Sequence, residues 1–200
     1  MKYKAKIIKT IDWDVALDSA RFTINKPSLN KLPSDSFIKD MCISEHSPLS
    51  EVRYIVEVYD IETFASQHIA RHDAFAGHNL RESKDVHFVG TQRSDRTGVD
   101  RSKRKQTDPC DHRISLSAKD FITISKLRLC STASVETRGI WQSILNELKA
   151  IDPILYKACV PTCIYRGFCT EKKSCKYDRT EAFKDELLTY RKFFIENYED

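Results

Sequence analysis

From residue 52 to residue 59 the chain alternates, with Val52, Tyr54, Val56 and Val58 on one side and Arg53, Ile55, Glu57 and Tyr59 on the other. A period of two marks a strand with one buried face. Such a strand needs a partner, and residues 4–9 supply a first candidate. Most other apolar residues recur at helical spacing, which predicts an α+β fold.

Asp12 is placed to cap a helix running to about Ile24, with Trp13, Ala16, Leu17 and Ala20 on one face. Ser34 can cap a second carrying Phe37, Ile38 and Met41, before a turn at residues 45–49. Asp60 is expected to open a helix to about Arg71, burying Ile61, Phe64, Ala65, His68 and Ile69. Ser117 and Asp120 have capping-box spacing ahead of Phe121, Ile124 and Leu127. Ser131 is expected to cap a helix whose stripe reads Ile140, Trp141, Ile144, Leu145 and Leu148, a core pattern. A short segment at 152–156 leads to a cysteine-rich stretch at 159–175, and a last helix is predicted over 180–198. No internal repeat or low-complexity linker interrupts the 200 residues, so one domain spanning 1–200 is the economical expectation.

The net charge of +4 suits a phosphorylated small ligand and is too weak to argue for nucleic acid. The opening MKYKAKIIKTIDWD lacks the long apolar centre of a secretion signal. No apolar run reaches membrane-spanning length, so a cytoplasmic protein with no membrane partner is expected.

Residues 67–96 are dense in cations: four of the six histidines (His68, His72, His78, His87) fall there, with Arg71, Arg81, Arg93 and Arg96. Arginine forks grip phosphate, so the stretch suits an anionic, planar ligand such as a nucleotide or flavin, the other reading being a solvated loop. A short apolar run at 86–89 interrupts it. The polar stretch 95–112, with Arg101, Lys103, Arg104 and Lys105, reads as a solvated loop.

Seven cysteines argue against a fully paired disulfide scaffold. Cys159, Cys163, Cys169 and Cys175 lie close enough in sequence to suit zinc, although the spacing lacks a C-x2-C knuckle. The alternative is four reduced, partly buried thiols. Cys130, two residues from Arg128, is a weaker candidate nucleophile.

Four segments, in order, resemble the flavin-dependent thymidylate synthases. They are Ser44-Glu45-His46-Ser47-Pro48-Leu49 leading into the strand at 52–59, Arg71-His72, Thr91-Gln92-Arg93, and Ser125-Lys126-Leu127-Arg128-Leu129-Cys130 followed by Ala133 to Arg138. Together they span roughly residues 36–175. Asp73 stands where the family signature has a cation, His68 where it has a glutamine, and Ser134 and Val135 where it has glutamine and tryptophan.

The resemblance implies C5 methylation of dUMP, with FAD as cofactor and methylenetetrahydrofolate and NADPH as co-substrates. It places Thr91, Gln92, Arg93 and Arg128 on the nucleotide, and Arg71, His72, His46 and His68 at the flavin. It assigns no side chain a covalent catalytic role and implies a homo-oligomer, a tetramer. Two alternatives stand beside it: a related one-carbon transfer to another pyrimidine nucleotide, such as hydroxymethylation, and a non-catalytic nucleotide- or RNA-binding relative without flavin.

Overall fold

The computed structural model describes residues 2–70, 87–90, 98 and 100–195. Strand β1 (Lys4–Ile11) pairs antiparallel with β2 (Arg53–Glu62), Ile7 facing Val56. β2 pairs antiparallel with β4 (Pro109–Ser117), Val56 facing Ile114. A three-residue strand, β3 (His87–Val89), adds to the far side of β4, so the sheet order is β1-β2-β4-β3. The alternation read from 52–58 is realised: Val52, Tyr54, Val56 and Val58 are all buried.

Two sequence expectations change at this sheet. Asp60 does not open a helix; β2 continues to Glu62, and helix α3 spans Thr63–Ala70. Asp60 sits at φ 53, where the β2–β4 register shifts, and its N–H donates to Asp111 Oδ1 at 3.0 Å. Aspartate tolerates that left-handed conformation better than most residues, and an extra residue here is a β-bulge. Nor does the loop expected at 95–112 run its full length. Its last four residues are strand, with Cys110 and His112 buried and Asp111 exposed between them. Pro109 stands at the strand's first position, where a missing N–H is tolerated.

The helices cover the sheet. α1 (Trp13–Phe22) is capped by Asp12, which accepts the Trp13 N–H at 2.7 Å; Ile24 lies beyond its end. Ser34 caps α2 (Asp35–Ser44). Ser117 and Asp120 form the expected capping box at α4 (Ala118–Arg128), which buries Phe121, Ile122 and Ile124 but leaves Leu127 exposed. Removing that box in Ser117→Ala is expected to cost about 1 kcal/mol, read as a lowered melting temperature.

Ser134, not Ser131, caps α5 (Val135–Ile151). The chain first closes a turn in which the Ala133 N–H reaches the Cys130 carbonyl. The predicted stripe on α5 is core, with Ile140, Trp141, Ile144, Leu145 and Leu148 each at most 1% exposed. The short helices α6 (Pro153–Ala158) and α7 (Thr162–Arg166) follow. α8 (Glu181–Phe194) is capped by Thr180 and buries Phe183, Tyr190 and Phe194; it ends before the 198 expected, and residues 196–200 lie outside the described ones.

One buried cluster runs from Tyr3 to Phe194. At its centre is a carboxylate. Asp152 Oδ2 accepts the indole N–H of Trp13 at 2.6 Å and the hydroxyl of Tyr54 at 2.7 Å, and pairs with Lys9 Nζ at 2.9 Å. Its other oxygen caps α6 through the Leu155 N–H. Asp152 is 4% exposed, and burial of a carboxylate is tolerated here because four donors meet its two oxygens.

Candidate functional site

The capping box sets where α4 starts, and eleven residues later the helix ends on Arg128. Its guanidinium Nη2 donates to the main-chain carbonyl of His68 at 2.9 Å, a contact across 60 residues of sequence. His68 lies in the last turn of α3, with its ring edge-on to Phe64 at 5.7 Å. Its Nδ1 is 3.3 Å from Thr137 Oγ1 in the first turn of α5. The Thr137 hydroxyl in turn is 2.8 Å from Ser134 Oγ, the cap of that helix.

Three helix ends therefore converge on a short polar chain: Arg128, His68, Thr137 and Ser134. Arg128 is partly buried, and burial lowers its pKa from the ordinary arginine value. Arginine nevertheless stays charged in proteins. The arrangement holds a cation at the end of α4, where the helix dipole also favours one. It suits recognition of an anion or a carbonyl-rich ring.

Two of the expected site residues, Arg128 and His68, are thus in direct contact. His46 is exposed at the start of a 3-10 turn (Ser47–Ser50) and takes no part in those bonds. The tie to that turn runs through its neighbour: Glu45 pairs with Lys126, whose ammonium sits 3.6 Å from the Tyr165 ring centre. Lys126 and Arg128 therefore divide the work at the end of α4, one anchoring α2 and α7 and the other engaging α3. Arg71, His72, Thr91, Gln92 and Arg93 lie outside the described residues, as does Asp73. The sequence reading missed Thr137; its one signal was a hydroxyl three residues after the Ser134 cap.

The cysteines divide differently from their sequence spacing. Cys159 is buried in the core, where Ser125 donates to it and burial pushes its thiol up to about 12. Cys163, Cys169 and Cys175 instead line a cavity of about 690 Å³ together with Cys130. Cys159 thus lies apart from the cavity that the other three line, and the expected zinc set of Cys159, Cys163, Cys169 and Cys175 is not gathered there. Among the described residues, no three His, Cys, Asp or Glu side chains are arranged to hold a metal ion.

Within the cavity the thiols differ. Burial pushes Cys163 up to about 11. The Ser131 hydroxyl and the Tyr177 N–H hold the exposed Cys175 below the ordinary thiol value.

No family model matches the chain. Over 77 residues it is 30% identical to the flavin-dependent thymidylate synthase of Saccharolobus solfataricus, a match covering 38% of this chain and 30% of that protein. The chain thus matches less than a third of that relative's length. Two crystal structures of Helicobacter pylori ThyX, both with FAD and dUMP, superpose with TM-scores of 0.58 and 0.57 at 16% and 13% identity. They cover 80% and 78% of this chain and 100% and 99% of theirs. The fold is that of the flavin-dependent thymidylate synthases. Sequence match and fold together bear out the resemblance carried by the four motifs. No helix among the described residues is long and apolar enough to cross a membrane.

Proposed function

We propose that the protein is a flavin-dependent thymidylate synthase-like enzyme. It would act on dUMP as one domain assembled into a homotetramer, in the cytoplasm. The observation that carries this reading is the bond from Arg128 to the His68 carbonyl. It joins the fourth motif segment to the end of α3, three residues before the Arg71-His72 segment in sequence, as a shared ligand site requires. In this reading Arg128 holds the nucleotide, and Thr137 and Ser134 fix the His68 segment against it.

Thr91, Gln92 and Arg93 would complete the nucleotide side, with Arg71, His72, His46 and His68 at the flavin. The H. pylori structures are described with FAD and dUMP, which supports both ligands. The half-buried cation and hydroxyl-lined helix end at Arg128 fit a pyrimidine nucleotide. When bound, reduced FAD would supply the hydride, methylenetetrahydrofolate the carbon, and NADPH the electrons that restore the flavin. The protein's own part is to bind and orient the base and its phosphate.

Arg128→Ala is expected to weaken dUMP binding by about 1.5–3 kcal/mol, the scale of a charge-assisted hydrogen bond. Calorimetric titration of both proteins checks it. Wild-type affinity in the variant would remove Arg128 from the nucleotide site.

Asp73 favours a second reading, a nucleotide binder without flavin, because a carboxylate opposes a flavin diphosphate. Absorbance separates the two. The enzyme reading expects a yellow protein, or one that takes up FAD on reconstitution. A protein that remains colourless after FAD is added supports the binder. Hydroxymethylation of the nucleotide would show in the mass of the product.

A further inference from the structure

We propose that the cavity between α7, residues 167–176 and the loop joining α4 to α5 is a thiol-exchange site for a low-molecular-weight disulfide, with Cys175 as the attacking sulfur and Cys169 as the thiol that resolves the adduct. Four of the seven cysteines, Cys130, Cys163, Cys169 and Cys175, line this one cavity, at about 690 Å³. That volume lies within the range of sites for small molecules, roughly 300–1,000 Å³.

The four sulfurs are not equivalent, as the ligands of a single metal ion would tend to be. Cys175 is exposed and receives the Ser131 hydroxyl and the Tyr177 N–H, the setting of a nucleophilic thiolate. Cys163 is fixed in helix α7. Cys130 belongs to the turn that precedes α5, with the Thr132 hydroxyl 3.2 Å from its sulfur. Cys169 shares with Cys175 the irregular backbone between α7 and the 3-10 turn at Tyr177–Arg179. Closing them to disulfide length, about 2.05 Å, would bend that irregular backbone rather than a helix. Arg138 and Lys176 line the cavity opposite in charge to Glu171 and Asp178, so a zwitterionic, peptide-like disulfide suits it.

The steps balance. The Cys175 thiolate attacks one sulfur of the disulfide, forming a mixed disulfide and releasing the first small thiolate. The Cys169 thiolate then attacks Cys175 Sγ, forming the internal disulfide and releasing the second. The protein dithiol loses two electrons, the small disulfide gains them, and the two protein protons pass through solvent to the released thiolates.

The test uses the full chain, reduced, freed of reductant and exposed to glutathione disulfide, followed by intact-mass analysis and peptide mapping. The expected result is a single glutathione adduct on Cys175 that gives way to a Cys169–Cys175 disulfide. Cys169→Ser should stop at the adduct, and Cys175→Ser should lose both products while keeping its melting temperature. If Cys175→Ser does not fold, iodoacetamide labelling of the wild type replaces it, and Cys175 should be labelled first. Several results overturn the proposal: first modification at Cys130 or Cys163, an unchanged rate in Cys175→Ser, or no reaction. So does protein purified with one zinc per chain that Cys175→Ser releases.

Discussion

Asp152→Ala is expected to lower the unfolding free energy by about 3–5 kcal/mol, the cost of breaking a buried ion pair from one side. The substitution strands three donors at once: the Trp13 indole, the Tyr54 hydroxyl and the Lys9 ammonium. It also removes the cap of α6. Burial already pushes the Tyr54 hydroxyl far above the ordinary tyrosine value, so that group stays a donor and needs an acceptor. Asp152→Asn keeps the shape and one acceptor but not the charge, and should fall between the variant and the wild type. Urea denaturation followed by circular dichroism measures both. A loss in Asp152→Ala no greater than about 1 kcal/mol, the scale of a simple cap, would mean that the four side chains do not act as a unit.

Trp141→Ala is expected to cost a similar amount, about 3–5 kcal/mol, through a different mechanism. Trp141 is fully buried, with its ring 5.6 Å from that of Phe121, which in turn meets Tyr54 edge-on at 5.2 Å. Truncation opens a cavity at one end of this aromatic row, beside Phe121. It also removes the indole N–H from Ser125 Oγ, at 2.9 Å. The urea midpoint should fall with little change in slope, because the folded core stays compact. Trp141→Phe fills much of the space and should recover part of the loss. Equal midpoints for Trp141→Ala and the wild type would show that α5 does not seal the sheet.

Where the chain's pattern is local, the sequence reads correctly. Alternation placed β2 with its buried face, and the five-residue stripe placed the inner side of α5. Ser34, Asp12 and the Ser117–Asp120 pair cap the helices as expected. Ambiguity enters where one residue type serves two geometries. Aspartate both caps helices and tolerates the left-handed region, and only Asp111 on the neighbouring strand makes Asp60 a bulge residue. Likewise, Ser131 and Ser134 are equally good caps in isolation, and the turn between them decides.

The candidate site was legible in part for the same reason. The resemblance marked His68 and Arg128 separately, but their bond is a tertiary contact with no signature in either segment. Thr137 joins through a hydroxyl that local spacing does not distinguish from an ordinary first-turn residue. The cysteines show the limit most clearly. Proximity in sequence groups Cys159 with the other three, whereas the fold buries it and brings Cys130 to the cavity from 33 residues before Cys163.

Strand β1 is the sheet's outer strand on the side away from β4. Among the described residues no strand pairs with its outer edge, which offers main-chain groups to any extended segment that approaches. Lys4 and Lys6 stand exposed along it, and the like charges on two such edges repel. Crowded copies of this chain are therefore protected from growing into a continuous ribbon at that edge.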